Sequence, residues 1–134
     1  MKTFKLNCIY AVAVLIGLLL LSPAAIADNK KDARISFSEN VYDFGQVSLK
    51  KGKVSHVFTF TNSGGKALVI SNARADCGCT RPEYSDAPVA PGKSGTLKVT
   101  FSPAAKGHFS KKVTVTTNGN PRKVRLIIKG EVVE

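Results

Sequence analysis

The stretch Val54-Ser55-His56-Val57-Phe58-Thr59-Phe60-Thr61, followed by Asn62-Ser63-Gly64-Gly65, decides the fold. Its period of two places Val54, His56, Phe58 and Phe60 on one face and Ser55, Val57, Thr59 and Thr61 on the other. That is a β-strand with a buried, aromatic side. Asn and Gly tolerate positive φ, so residues 62–65 read as the turn that ends it.

The same period recurs on both sides. Upstream, Ile35 and Phe37 share a face, Tyr42 to Val47 forms a second short segment, and Lys51-Gly52-Lys53 turns the chain. Downstream, Leu68 and Ile70 resume the inner face. Leu97, Val99 and Phe101 alternate with Thr96, Lys98 and Thr100. Phe109, Val113 and Val115 share one parity, and Val124, Leu126 and Ile128 complete the core. Asn118-Gly119-Asn120-Pro121 carries the hairpin signal between the last two strands. Ala90-Pro91-Gly92-Lys93 reads as a type II turn. Pro82, Pro88 and Pro91 punctuate a loop-rich passage that excludes a central strand. About seven short strands with no helical period predict an all-β, immunoglobulin-like antiparallel β-sandwich over residues 35–133. The chain has no tryptophan, and its two downstream cysteines are near neighbours, so aliphatic and phenylalanine packing must hold the sheets together.

The front of the chain is different. Lys2 and Lys5 precede an apolar run from Cys8 to Leu21, then Ser22-Pro23 and Ala25-Ile26-Ala27, the layout of a secretory signal peptide over residues 1–27 cleaved after Ala27. The run is short for a membrane span of about 20 residues. No cysteine follows the cleavage site, so no lipoprotein anchor is expected. Cleavage leaves 107 of the 134 residues, opening with a polar, flexible leader over 28–34. It also removes Cys8. The expected location is the periplasm or cell envelope, with secretion beyond it open.

Cys77-Gly78-Cys79-Thr80 is the chemically distinctive stretch. In an extended strand two rises of about 3.3 Å put the α-carbons at the upper edge of the disulfide range, so a bridge requires a bend at Gly78. Closing so short a loop yields only about 1.5 kcal/mol by the chain-entropy estimate. Three readings stay open: a short bridge that protects two thiols, an exchangeable redox pair, and a pair of soft ligands for copper or zinc. Auxiliary ligands could come from Asp76, His56 or His108. His56 shares parity with Phe58 and Phe60 and reads as a core histidine, whereas His108 follows Gly107 in a turn. No other cofactor is indicated. With no nucleophile elbow and no paired-carboxylate motif, an enzyme is not expected.

Charge is the second signal. The sequence holds 20 Lys and Arg against 9 Asp and Glu, and losing Lys2 and Lys5 leaves a net +9. Lys111, Lys112, Arg122, Lys123, Arg125 and Lys129 fall on the last hairpin, where one register sets Lys112 opposite Lys129. Such a patch would attract an acidic protein or an anionic envelope component. Strand lysines also serve solubility and guard edges. Nucleic acid is a poor partner for an exported chain without exposed stacking aromatics.

Asp43-Phe44-Gly45, Phe58-Thr59-Phe60-Thr61-Asn62-Ser63-Gly64, Leu68-Val69-Ile70, Cys77-Gly78-Cys79-Thr80, Pro91-Gly92-Lys93-Ser94-Gly95, Val99-Thr100-Phe101, Gly107, Thr117-Asn118 and Leu126-Ile127-Ile128-Lys129-Gly130 come in a telling order. Together they resemble the bacterial family known as domain of unknown function 1573, over about Ile35 to Val132. The resemblance implies a fold like the immunoglobulin-like modules of the major-sperm-protein and cilium-associated type, and export in Gram-negative bacteria, especially Bacteroidetes. It implies no activity, because the family has none established. By analogy of fold, it points to binding or scaffolding.

Overall fold

The computed structural model describes residues 32–134. The expected signal peptide, its cleavage after Ala27 and leader residues 28–31 lie outside them. Eight strands form: β1 (Ile35–Phe37), β2 (Val41–Ser48), β3 (Val54–Asn62), β4 (Ile70–Ala75), β5 (Thr80–Tyr84), β6 (Ser94–Phe101), β7 (Gly107–Thr117) and β8 (Lys123–Val133). They make two four-stranded sheets, ordered β1-β3-β6-β5 and β2-β8-β7-β4.

The alternation in the sequence is the alternation in the core. Phe58 and Phe60 on β3, Leu97, Val99 and Phe101 on β6, Val113 and Val115 on β7, and Leu126 and Ile128 on β8 are each 3% exposed or less. Leu68 and Ile70 join them. Burial of such side chains contributes about 1.5–3 kcal/mol each, which is what holds two sheets with no bridge between them.

Three expectations are corrected. The sandwich is not wholly antiparallel, because β2 pairs with β8 in parallel. Residues 38–40 carry the chain from the first sheet to the second directly after β1, which puts β2 at an edge beside the last strand. The proline-rich passage contains a strand, β5, with Pro82 within it. It is an edge strand, where a missing amide donor is tolerated. Finally, part of the expected leader is structural: Ala33 is 3% exposed, and its carbonyl accepts from Asn120 N at 2.9 Å.

That contact also shapes the last connection. Asn118 to Arg122 turn β7 back into antiparallel β8, as expected, through a connection longer than two residues. Thr117 N donates to Arg122 O at 2.7 Å, the Asn120-Pro121 peptide is cis, and Arg34 bridges Asn120. The Ala90–Lys93 turn is as expected, with Lys93 N donating to Ala90 O at 3.0 Å and Gly92 at φ 77°.

The turn after β3 is built on a buried side chain. Asn62 is 0% exposed. Its Nδ2 donates to Lys66 O at 2.6 Å and Val89 O at 2.9 Å, and its Oδ1 accepts from Gly64 N at 3.0 Å and Arg34 N at 3.2 Å. One amide thus ties together the start of the domain, the turn and the strand-like segment at Val89. Gly64 is required beside it, since a Cβ there would lie 2.1 Å from Asp32 O.

Candidate functional site

The six cations of the last hairpin do not form one area. Side chains alternate along a strand, so Lys112 on β7 and Lys123, Arg125 and Lys129 on β8 project from the outer face of the second sheet, opposite in parity to buried Val113, Val115, Leu126 and Ile128. Lys111 shares the parity of Val113 and turns, half-buried, to the end of the sandwich. Arg122 stands in the exposed connection. Lys112 is not opposite Lys129: its partner is Ile127, while Lys129 faces Ser110.

The register brings in a residue that the sequence analysis did not single out. Arg74 on β4 pairs with Thr114, which pairs in turn with Arg125, so two guanidinium-bearing strands flank a threonine. The next row is Asn72, Thr116 and Lys123. Short side chains in the middle column leave an open depression of about 670 Å³, lined by Asn72, Arg74, Asp76, Thr114, Thr116 and Lys123. The signal for Arg74 was present in the alternation of Ala73 and Ala75 with Asn72 and Arg74, but alanine marks a core face weakly.

Ion pairing on the two outer faces differs. Among the described residues, none of Arg74, Lys112, Lys123, Arg125 and Lys129 has a carboxylate oxygen within 4.0 Å. Acids are present at the margins: Asp43 is the register partner of Lys129, Glu131 that of His108, and Asp76 closes the depression. Asp43 Oδ1 is engaged by Gly45 N at 2.8 Å. On the first sheet, by contrast, Glu83 faces Lys98 and lies 3.8 Å from Arg81.

The Cys-Gly-Cys stretch is the crossing from β4 to β5, hence from one sheet to the other. Cys77 and Cys79 are bridged, with α-carbons 5.2 Å apart. The bend does not use glycine's special freedom: Gly78 is not at positive φ, and a Cβ there would meet nothing within 4 Å. Backbone bonds hold the crossing on both flanks. Asp76 N donates to Lys112 O at 3.1 Å, Thr80 N to Cys77 O at 3.1 Å and Ser102 N to Cys79 O at 2.8 Å. The pair opens on a cavity of about 320 Å³ walled by Phe101, Phe109 and Val132, with Lys106, His108 and Lys111 also lining it.

The auxiliary ligands do not assemble around the sulfurs. Among the described residues, no group of three or more His, Cys, Asp or Glu is spaced to hold a metal ion. Asp76 adjoins Cys77 in sequence and His108 shares its cavity. His56 is engaged elsewhere: its Nε2 lies 2.5 Å from Glu39 Oε1, its ring stacks on Tyr42 with centroids 3.5 Å apart, and Phe58 meets its edge. Among the described residues, no helix is long and apolar enough to cross a membrane.

The profile of the family described as Protein of unknown function (DUF1573) matches residues 35–132, most of the chain. The chain belongs to that family. No curated protein sequence matched it. Among solved structures, a protein of unknown function from Porphyromonas gingivalis W83 is similar, with a TM-score of 0.65 at 15% identity, covering 74% of this chain. The chain spans about half, 46%, of that protein's length. The ASH/PapD-like domain 7 of human CEP192 follows, with a TM-score of 0.61 at 11% identity, covering 77% of this chain and 87% of that domain. The secreted serine protease VesC of Vibrio cholerae gives 0.58 at 16% identity, covering 75% of this chain and 23% of the protease. At these identities the likeness is one of fold: an immunoglobulin-like sandwich of the PapD-like kind.

Proposed function

We propose that this DUF1573 chain is an exported, non-catalytic accessory module of the bacterial cell envelope that engages an anionic partner through the outer face of its β2-β8-β7-β4 sheet. The observation that carries this reading is the asymmetry between the two outer faces. Lysines placed only for solubility would be spread over both. Here Arg74, Lys112, Lys123, Arg125 and Lys129 share one face without close carboxylate partners among the described residues, while the other carries Arg81 and Lys98 with Glu83 beside them, 3.8 Å from Arg81 and in register with Lys98.

The chemistry follows from the spacing. Adjacent strands are about 4.8 Å apart, so Arg74 and Arg125, two strands apart, stand about 10 Å apart at their α-carbons. Two planar forks at that separation grip phosphate or carboxylate groups between them, and the hydroxyls of Thr114 and Thr116 can donate to the same oxygens. The export expected from residues 1–27 would bring this face to acidic glycans, lipid phosphates and acidic proteins. The fold neighbours lend an architecture and no activity.

The test is retention of the mature chain on immobilised heparin, used as a generic polyanion, as salt is raised. Arg74→Glu/Arg125→Glu should elute at markedly lower salt, whereas the matched change on the other sheet, Arg81→Glu/Lys98→Glu, should elute nearer to wild type. Equal losses from both pairs would show that net charge alone is being read and would remove the case for this face.

A further inference from the structure

We propose that the Cys77–Cys79 bridge is an exchangeable redox pair, reduced by a dithiol protein that docks at the cavity beside it. Four observations converge there. First, the bridge closes a loop with a sequence separation of 2, which constrains the unfolded chain very little. Second, it is redundant as a staple, because the crossing is already fixed by the backbone bonds from Asp76, Thr80 and Ser102. Third, both cysteines line an open cavity of about 320 Å³ with an aromatic wall, so a thiolate can approach from solvent. Fourth, Lys111 brings a positive charge to that cavity. Lys111, turned away from the basic face, lines it with His108 and Lys106, and among the described residues Lys106 alone of the three has a carboxylate partner, Glu134.

The two sulfurs are not equivalent. Cys79 N lies 3.2 Å from Cys77 Sγ and donates to it, whereas the contact of Cys79 Sγ is the Thr80 hydroxyl at 3.8 Å. A backbone donor stabilises negative charge, which makes Cys77 the better leaving thiolate and Cys79 the sulfur that is attacked. A thiolate of the reducing protein attacks Cys79 Sγ, the Cys77–Cys79 bond breaks, and Cys77 departs as a thiolate and takes up a proton. The partner's second thiol, as its thiolate, then attacks the partner sulfur of the mixed disulfide and releases Cys79, which is protonated in turn. The partner's dithiol ends as a disulfide, and Cys77 and Cys79 gain two electrons and two protons between them. Lys111 acts as a positioning residue. It attracts the incoming thiolate and offsets the charge on the departing one.

The test is reduction of the mature protein by dithiothreitol under native conditions, with thiols counted by maleimide trapping and fold followed by circular dichroism. The expected result is complete, reversible reduction with an unchanged spectrum, and a reduction rate at low salt that falls roughly threefold or more in Lys111→Gln, the gap closing at high salt. Lys98→Gln, the same loss of charge on the outer face of the other sheet, should leave the rate within twofold of wild type, which separates the cavity from net charge alone. Reduction that proceeds only as the protein unfolds would overturn the proposal and make the bridge structural. An unchanged rate in a folded Lys111→Gln protein would equally overturn it, because the cavity would then take no part in the exchange.

Discussion

Arg74 on β4 and Arg125 on β8 stand in one row across three strands, with Thr114 between them as register partner of both. At about 10 Å the two cations repel only weakly, and an anion placed between them would pair with both. Thr114→Glu supplies that anion internally. The variant should be more stable than wild type by about 0.2–1 kcal/mol in urea unfolding, because a cross-strand pair of opposite charges contributes that much. It should at the same time lose retention on heparin. A variant that kept full retention would place the anion-binding surface elsewhere.

Gly64 and Gly78 invite the same substitution and should answer it differently. A Cβ on Gly64 would lie 2.1 Å from Asp32 O and 2.5 Å from Arg34 N, both backbone atoms, so Gly64→Ala should lose more than about 2 kcal/mol as the start of the domain is pushed off the turn. Gly78 lies in open space without positive φ, so Gly78→Ala should stay within about 0.5 kcal/mol of wild type. Urea midpoints of the two variants measure the contrast.

Asn62 is the other hinge of the same corner. Asn62→Ala removes two donated and two accepted hydrogen bonds and leaves the Lys66 carbonyl and the Gly64 and Arg34 amides without their partner, while the Val89 carbonyl keeps Leu68 N at 2.9 Å. Each group left unpaired in a buried setting costs about 1–3 kcal/mol, so a loss of roughly 3 kcal/mol or more is expected, with faster hydrogen exchange at Gly64 and Arg34.

In the core itself, Phe58 is 0% exposed and makes an edge contact with the His56 ring, whose centroid lies 4.8 Å away. Phe58→Ala should cost about 3–5 kcal/mol, the range for emptying a buried aromatic site. Its effect on heparin retention of the protein that remains folded should be small, since Phe58 faces away from the basic surface.

Much of this molecule is visible in its sequence, for a physical reason. Period-two alternation states which side of a strand is buried, so Phe58 and Phe60, Leu97 to Phe101, and Leu126 and Ile128 announce the core without any knowledge of partners. Strand direction and register are long-range properties. Nothing local to Val41–Ser48 says that it will lie parallel to β8, and a hairpin register assumed from Asn118-Gly119 placed Lys112 opposite Lys129, whereas the two strands pair Lys112 with Ile127. The basic face was half legible. Adjacent residues on a strand point to opposite sides, so Lys111 and Lys112 were separable from the start, while Arg74 was hidden by alanine neighbours too small to reveal a buried face. The Cys-Gly-Cys crossing stood out by chemistry, but its cavity depends on β7 folding back against it, which no reading of residues 76–80 contains.

The most direct measurement is to titrate the isotope-labelled mature protein with a short heparin oligosaccharide and follow its backbone amide resonances. The account predicts shifts concentrated at Asn72 to Arg74, Lys112 to Thr116 and Lys123 to Lys129, weakening as salt is raised, with β3 and β6 unaffected. Shifts centred on Val57, Lys98 and Glu83, or spread evenly over both sheets, would contradict it.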